Sequence, residues 1–219
     1  MLRLKLFIFV VCCFFTTSGD HVLAQNPENW FEKAQALDRD GFWDEAAEAW
    51  EKLTTTNTNS KLAVYARLRL AVTYRKLGQF QQSIDIAQAI VRDHPDNFDA
   101  HFHLANSLSA LKKFSKAVEA YKTTTTLKPK EGLGYVGLGL SLFGNNDSKK
   151  AIEVLLNAKK LFKNKRNISW YRDTRVMVTQ IKHFEKFPPS FSNLWLKNNL
   201  NVVRDTYEKT VFDSKRYLR

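Results

Sequence analysis

The stretch Gly78–Pro95, GQFQQSIDIAQAIVRDHP, returns 34 residues later as Lys112–Pro129, KKFSKAVEAYKTTTTLKP. In both copies an aromatic residue, Phe80 or Phe114, stands third and a proline closes the segment. A fixed period of this length indicates a solenoid built from stacked helical hairpins. Such arrays present extended concave surfaces for binding. The period therefore favours a binding protein over an enzyme.

The same spacing extends to both sides of this stretch. An earlier copy lies 37 residues upstream and a fainter copy lies 34 residues downstream, at Gly41, Trp43, Ala46 and Trp50, and at Asn146, Ser148, Ala151 and Leu155. The polar linker Thr54–Ser60 accounts for the three extra residues of the first interval. The repeats predict four helical hairpins, at about 27–60, 64–97, 98–131 and 132–165.

Small and large residues alternate at corresponding places in these units. Small ones, such as Ala71, Ala105 and Gly139, let paired helices approach closely, while Trp50 and Tyr121 fill the gap to the next unit. A single hairpin cannot bury its apolar face by itself, so the units must stack. The predicted fold class is an all-α superhelical solenoid.

These positions resemble the tetratricopeptide repeat family over about residues 27–165. The residues that carry the resemblance are Trp30, Ala34, Gly41, Trp43, Ala46, Trp50, Gly78, Phe80, Pro95, Leu104, Ala105, Phe114, Ala117, Tyr121 and Pro129. Lys33, Ser83 and Ala87 depart from the family pattern. The resemblance implies a right-handed superhelix of helix-turn-helix repeats, about four in number, in which the first helix of each pair lines a concave groove.

Residues 1–24 have the order of a secretory signal peptide. Two basic residues precede the apolar run Leu6–Phe15, and small residues precede a cleavage site near Ala24/Gln25. A retained membrane anchor is the alternative, but a run of ten is too short to span a bilayer, which takes about 20 residues. We expect an exported protein, periplasmic or secreted. Both cysteines lie in this segment, so the mature chain must rely on its apolar core.

Two further segments follow the repeats. Residues 166–187 predict one more amphipathic helix that caps the solenoid, and Pro188 and Pro189 then interrupt it. Residues 188–219 form a basic amphipathic tail, and its apolar residues at helical spacing, Leu200, Val203, Tyr207 and Val211, predict a final helix.

Positive charge is concentrated at the carboxyl-terminal end. Residues 25–158 hold 17 basic and 16 acidic residues (net +1), whereas residues 159–219 hold 15 and 5 (net +10). The densest basic patch comprises Lys159, Lys160, Lys163, Lys165, Arg166, Arg172 and Arg175. Nucleic acid is the common partner of such a patch, but export disfavours it. An anionic membrane or cell-wall surface fits better, and a solvated helix face is the plain alternative.

Motifs that suggest chemistry have simpler structural explanations. Residues 132–137, GLGYVG, match a dinucleotide-binding pattern, but they follow a helix that ends in proline and lie inside the next one. Residues 38–41, DRDG, lack the later ligands of a calcium loop, and His101 and His103 point to different helix faces. No catalytic set stands out. We expect no enzyme activity, no cofactor and no metal.

The phase of the repeats predicts which side chains line the groove. They are Phe31, Gln35, Leu68, Val72, Arg75, Phe102, Asn106, Val136, Leu140 and Phe143. Most are apolar, and only Asn106 resembles the Lys and Asn set of the family's carboxylate-binding members. The groove therefore predicts an apolar or helical peptide ligand, or else the protein's own tail.

The sequence thus favours an exported, non-enzymatic scaffold or adaptor that binds another protein or peptide. One alternative is a surface-associated protein that acts through its basic carboxyl-terminal region on an anionic envelope or membrane surface. Another is an accessory subunit of an envelope enzyme complex.

Overall fold

A computed structural model describes residues 27–56 and 60–218, and the predicted signal peptide lies outside these residues. All regular structure in the described ranges is helical. The helices are α1 Pro27–Asp40, α2 Trp43–Thr56, α3 Lys61–Lys76, α4 Phe80–Asp93, α5 Phe98–Ala110, α6 Phe114–Leu127, α7 Gly132–Gly144, α8 Ser148–Asn164, α9 Ile168–Ile181, a 3-10 turn Phe184–Lys186, α10 Pro189–Thr210 and α11 Lys215–Leu218. The predicted all-α class is confirmed.

Helices α1 to α8 form four antiparallel hairpins, and each helix packs against the next along the chain. The first two hairpin turns use Gly41 and Gly78 in the left-handed backbone region, at φ of 86° and 76°. Lys112 and Asn146 adopt the same conformation, at φ of 57° and 62°, in the third and fourth turns. The turn geometry is therefore kept where glycine is absent, at a cost of about 1 kcal/mol for a residue such as lysine.

Close packing between helices explains the glycines of the fourth repeat. A Cβ atom added at Gly137 would lie 2.3 Å from the Tyr121 ring, and one at Gly139 would lie 2.7 Å from Leu155. Tyr121 and Leu155 are fully buried. The glycine-rich stretch thus lets α7 approach both α6 and α8, and it lies in a helix that follows another helix.

The chain reverses after the fourth repeat. Helix α9 packs on α8, and beyond the 3-10 turn α10 returns to contact α7 and α5, while α11 reaches α3. We call residues 189–218 the C-terminal segment. In the described ranges, no helix combines the length and the apolar character that crossing a membrane requires.

Candidate binding groove

The first helices of the repeats, α1, α3, α5 and α7, line the concave side, and the C-terminal segment lies there. Val203 and Tyr207 of α10 have no exposed surface, and Leu196 and Leu200 are also buried. These residues recur at intervals of three or four, so one face of α10 faces the solenoid. The groove is therefore occupied by part of the same chain.

Asp99, in the first turn of α5, is the polar centre of this contact. The hydroxyl of Tyr207 donates to its Oδ1, and the hydroxyl of Tyr217 donates to its Oδ2 at 2.7 Å. Arg216 Nη1 donates to the same Oδ2 at 2.8 Å. The Asp99 side chain is only 2% exposed. A buried carboxylate needs such partners, and all three belong to the C-terminal segment.

Aromatic rings make the apolar part of the contact. The Tyr207 ring stacks on Phe102, with ring centroids 3.7 Å apart and an interplanar angle of 14°. Phe212, just beyond α10, stacks on Tyr65 of α3 with centroids 5.9 Å apart. Burial and the neighbouring Asp99 carboxylate raise the pKa of Tyr207 well above its usual value. Its hydroxyl therefore remains a donor at neutral pH.

A buried ion pair links α3 to α10. The Arg75 guanidinium contacts the Glu208 carboxylate, and the two side chains are 3% and 15% exposed. Burial lowers the pKa of Arg75, and the charge of Glu208 opposes that effect. Removing one partner would leave the other charge buried and unpaired, which is costly.

His103 lies between the rings of Tyr207 and Phe212, with centroid distances of 5.5 and 5.6 Å. Neither of its ring nitrogens has a hydrogen-bond partner among the described residues. Burial, helped by the positive charges of Arg75 and Arg69, holds its pKa well below 6.5. His103 is therefore neutral at physiological pH and acts as a packing residue.

A second aromatic cluster holds the start of α10. Trp195 lies edge-on to Phe143 of α7, with centroids 5.7 Å apart, and contacts Phe184 at 4.7 Å. Its indole Nε1 donates to Gln180 Oε1 of α9 at 2.9 Å. The C-terminal segment is thus fixed at both ends.

The predicted groove residues fall into three groups. Arg75, Phe102 and Phe143 contact the C-terminal segment directly. Phe31 packs on Trp50 and Tyr65 near the amino-terminal end. The others are buried or line cavities: Leu68, Val72, Val136 and Leu140 are fully buried, Asn106 is 5% exposed, and Gln35 is partly exposed.

Sequence reasoning missed Tyr65, Asp99 and His103, which also face the segment. Each lies three residues before a predicted groove residue: Leu68, Phe102 or Asn106 in turn. Residues three apart share a helix face. Extending the predicted face by one helical turn would have found them.

The amino-terminal end of the groove stays open. A cavity of about 860 Å³ lies between α1, α3 and the end of α10, and Gln35, Trp43 and Arg69 are among its lining residues. Asp38 is buried at its wall and pairs with Arg69. This end combines aromatic surface with charges of both signs.

The basic patch lies apart from these contacts, on the end of α8, on the turn that follows it and on α9. Lys159 is partly buried and the other six residues are exposed. Lys165 Nζ approaches Glu131 at 3.5 Å, and Arg172 approaches Asp173 at 3.6 Å. Lys160, Lys163, Arg166 and Arg175 face solvent. In the ranges that the structure describes, no cluster of His, Cys, Asp or Glu side chains is arranged to hold a metal ion.

A solenoid of helical hairpins with an aromatic-lined groove defines the class of α-solenoid binding scaffolds. A model described as "Tetratricopeptide repeat" matches residues 31–98, 68–132 and 102–165. These overlapping matches span well over half of the chain, and the chain belongs to the tetratricopeptide repeat family. The resemblance drawn from the sequence is confirmed.

The relatives named here share less than 30% of their residues with this chain. The chain is 28% identical over 108 residues to the Protein CTR9 homolog of Arabidopsis thaliana, which is 49% of this chain but only 10% of that protein. A crystal structure of MamA superposes with a TM-score of 0.59 at 23% identity, covering 65% of this chain and 81% of that one. MamA from Desulfovibrio magneticus RS-1 gives 0.61 at 16% identity, with 85% and 97% covered. These two superpositions show a shared fold.

Proposed function

We propose that this protein is a non-enzymatic interaction scaffold whose groove receives an amphipathic helical segment of a partner protein. One observation carries the proposal: Asp99, Phe102 and Arg75 together hold an amphipathic helix of the same chain. Helix-in-groove binding is a recurring mode of peptide recognition. The groove is thus suited to such a segment, whether it comes from this chain or from another.

The contacts define what a partner must present. A donor such as a phenol or guanidinium must reach Asp99, because a buried carboxylate without donors is unstable. A carboxylate must reach Arg75 for the same reason, and an aromatic ring must stack on Phe102. The partner segment is therefore an amphipathic helix with an aromatic anchor, an adjacent acidic residue for Arg75 and a donor that reaches Asp99. Export, expected from the sequence, would place this partner in the periplasm or outside the cell.

Binding in trans tests the proposal. The probe is a fluorescein-labelled peptide of residues 189–218, added to the full chain and to a variant whose own segment is weakened by Tyr207→Ala and Arg216→Ala. We expect the variant to bind the peptide at least tenfold more tightly, because its own segment competes less. Adding Asp99→Asn should reverse this gain. Equal binding by the variants with and without Asp99→Asn would refute the groove as the site.

A second candidate function rests on the exposure of the basic patch. The side chains of Lys160, Lys163, Arg166 and Arg175 are exposed near one end of the solenoid, where they can face an anionic membrane or cell-wall surface. Sedimentation with phosphatidylglycerol vesicles should show binding at low salt that is lost at high salt. Absence of binding at both salt concentrations, or binding unaltered by charge reversal at Lys160 and Lys163, would reject this candidate.

A further inference from the structure

A cavity of about 360 Å³ lies beside the occupied groove, between α10 and the edge of the solenoid. We call it the edge cavity. Its walls are the end of α5, the first residues of α4 and α6, and one side of α10. Its volume is at the lower end of the range for ligand sites, roughly 300–1,000 Å³. It is distinct from the Asp99 contacts, because none of their residues lines it.

Apolar atoms form most of its lining surface, and six of its thirteen lining residues have apolar side chains. Phe80 and Phe114 stand on the solenoid side, and Leu196 and Leu200 stand on the α10 side. Leu194, at the same wall, is 58% exposed. The cavity is therefore open to solvent beside an exposed apolar side chain, and a bulky apolar group could enter it from the surface.

The charges around the edge cavity have one sign. Lys112, Lys197 and Arg204 line it, and within the described ranges no acidic residue does. Arg204 pairs with Asp205, whereas Lys112 and Lys197 form no ion pair with a described residue. The two lysines thus leave a positive charge at an apolar cavity, which favours an anionic ligand.

Backbone and amide donors add to this preference. Helices α4 and α6 begin at the cavity residues Phe80 and Phe114, and neither is capped by a side-chain hydrogen bond. Their amino-terminal ends carry partial positive charge. Asn106, which is 5% exposed, also lines the cavity, and its Nδ2 has no hydrogen-bond partner among the described residues. Asn106 thus adds an unsatisfied amide donor to the cavity wall.

We infer that the edge cavity is a docking site for an acidic peptide that inserts one bulky apolar side chain and places flanking carboxylates near Lys112 and Lys197. The inference rests on the proposed function as a protein-binding scaffold and adds a second site with a different ligand chemistry. The groove selects an amphipathic helix with an aromatic residue, whereas the edge cavity selects an apolar side chain that is flanked by carboxylates. Because α10 forms one wall of the edge cavity, this site is complete while the chain's own C-terminal segment occupies the groove.

Fluorescence anisotropy with the full chain tests the inference. The probe is a labelled, acetylated peptide with a leucine-phenylalanine core flanked on each side by two glutamates, and the control peptide carries lysines in their place. We expect saturable binding of the glutamate peptide that weakens with salt, and at least tenfold weaker binding of the lysine peptide. Equal binding of both peptides, or no binding of either, would overturn the inference.

Two substitutions test whether the glutamate peptide binds in the edge cavity. Ala110→Trp adds a large side chain at an exposed position of the cavity wall, and Lys197→Glu reverses a charge there. Each should weaken binding of the glutamate peptide at least tenfold, whereas Lys160→Glu, a matched reversal of an exposed lysine on α8, should change it less than twofold. If Lys197→Glu and Lys160→Glu weaken binding equally, the peptide senses only net charge and the site is refuted.

The groove proposal and the edge-cavity proposal can be refuted independently. Lys197→Glu should leave binding of the peptide of residues 189–218 to the weakened-segment variant unchanged, because Lys197 lines the edge cavity and not the Asp99 contacts. Loss of glutamate-peptide binding in Asp99→Asn, with Lys197→Glu unaffected, would assign that peptide to the groove and overturn the edge site. Loss in Lys197→Glu with Asp99→Asn unaffected would support the edge site even if the groove proposal failed.

Discussion

Replacing Tyr207 with phenylalanine isolates the contribution of one hydrogen bond to groove occupancy. The change removes only the hydroxyl that donates to Asp99 and keeps the ring that stacks on Phe102. Asp99 would retain Tyr217 at 2.7 Å and Arg216 at 2.8 Å. The carboxylate would therefore lose one of three donors without becoming unpaired.

The expected magnitude follows from these contacts. A hydrogen bond to a charged group contributes about 1.5–3 kcal/mol. The lower value applies because the other two donors of Asp99 remain, and about 1.5 kcal/mol is roughly a tenfold change in an equilibrium constant. Tyr207→Ala also removes a fully buried ring, which costs about 3–5 kcal/mol. We therefore expect Tyr207→Ala to release the C-terminal segment far more often than Tyr207→Phe does.

Hydrogen exchange measured by mass spectrometry reports this release, because local opening sets the exchange rate of protected amides. Amides of α10 should exchange about tenfold faster in Tyr207→Phe than in the parent, while those of α6 and α8 should be unchanged. Tyr74→Phe is the matched control. It removes a phenol–carboxylate bond, to Glu51, between α3 and α2, and should leave α10 unaffected.

Two results would refute this reasoning. Unchanged protection of α10 in Tyr207→Phe would show that the bond to Asp99 does not hold the segment. Equal acceleration in α10 and in the repeats would show that the segment and the solenoid open together as one unit. In that case the groove could not be vacated for a partner.

Three further predictions address other contacts. Arg75→Ala should accelerate hydrogen exchange in α10 at least a hundredfold, because Glu208 is left unpaired. Combining Arg75→Glu with Glu208→Arg should restore part of the protection. If the combined variant exchanges as fast as Arg75→Ala, the two side chains do not form a direct ion pair. His103 stays neutral in the folded state, whereas in the unfolded chain it takes up a proton below about pH 6.5. The free energy of unfolding should therefore fall by up to about 1.4 kcal/mol for each pH unit below that value. Urea titrations at pH 7 and 5.5 should show a smaller fall in His103→Phe, and an identical fall would exclude His103 as its source. Gly137→Ala should lower the free energy of unfolding, measured by urea titration at pH 7, by about 1–3 kcal/mol, because the added Cβ meets the Tyr121 ring. Helix propensity by itself would raise this free energy, so a measured increase would mean that the ring moves aside.

The repeat architecture was predictable because it depends on local periodicity. The spacing of Gly78, Phe80 and Pro95 recurs with a fixed period, and each hairpin contacts mainly its neighbours along the chain. Gly78 adopts the left-handed backbone conformation in the turn between α3 and α4. Part of the candidate groove was also predictable, since helix phase places Arg75 and Phe102 on the groove face of the first helices of their repeats.

The partners of those groove residues could not be read in the same way. Asp99 and Tyr207 are 108 residues apart, and nothing in either local pattern relates them. The sequence left open whether the tail fills the groove, because an amphipathic helix pairs equally well with any apolar surface of suitable shape. Likewise, the fold brings Lys112 and Lys197 together at the edge cavity, although the two residues belong to different periodic patterns.

The sequence by itself determined the stacked helical hairpins and the amphipathic character of α10, since both arise from contacts between residues close in the chain. Only the tertiary structure decided that α10 turns back after Pro188 and places Tyr207 against Asp99 and Phe102 of α5. The physical reason is that burying Asp99 requires donors that its own repeat does not supply. The curvature of the solenoid and the reversal of the chain bring those donors from the far end of the protein.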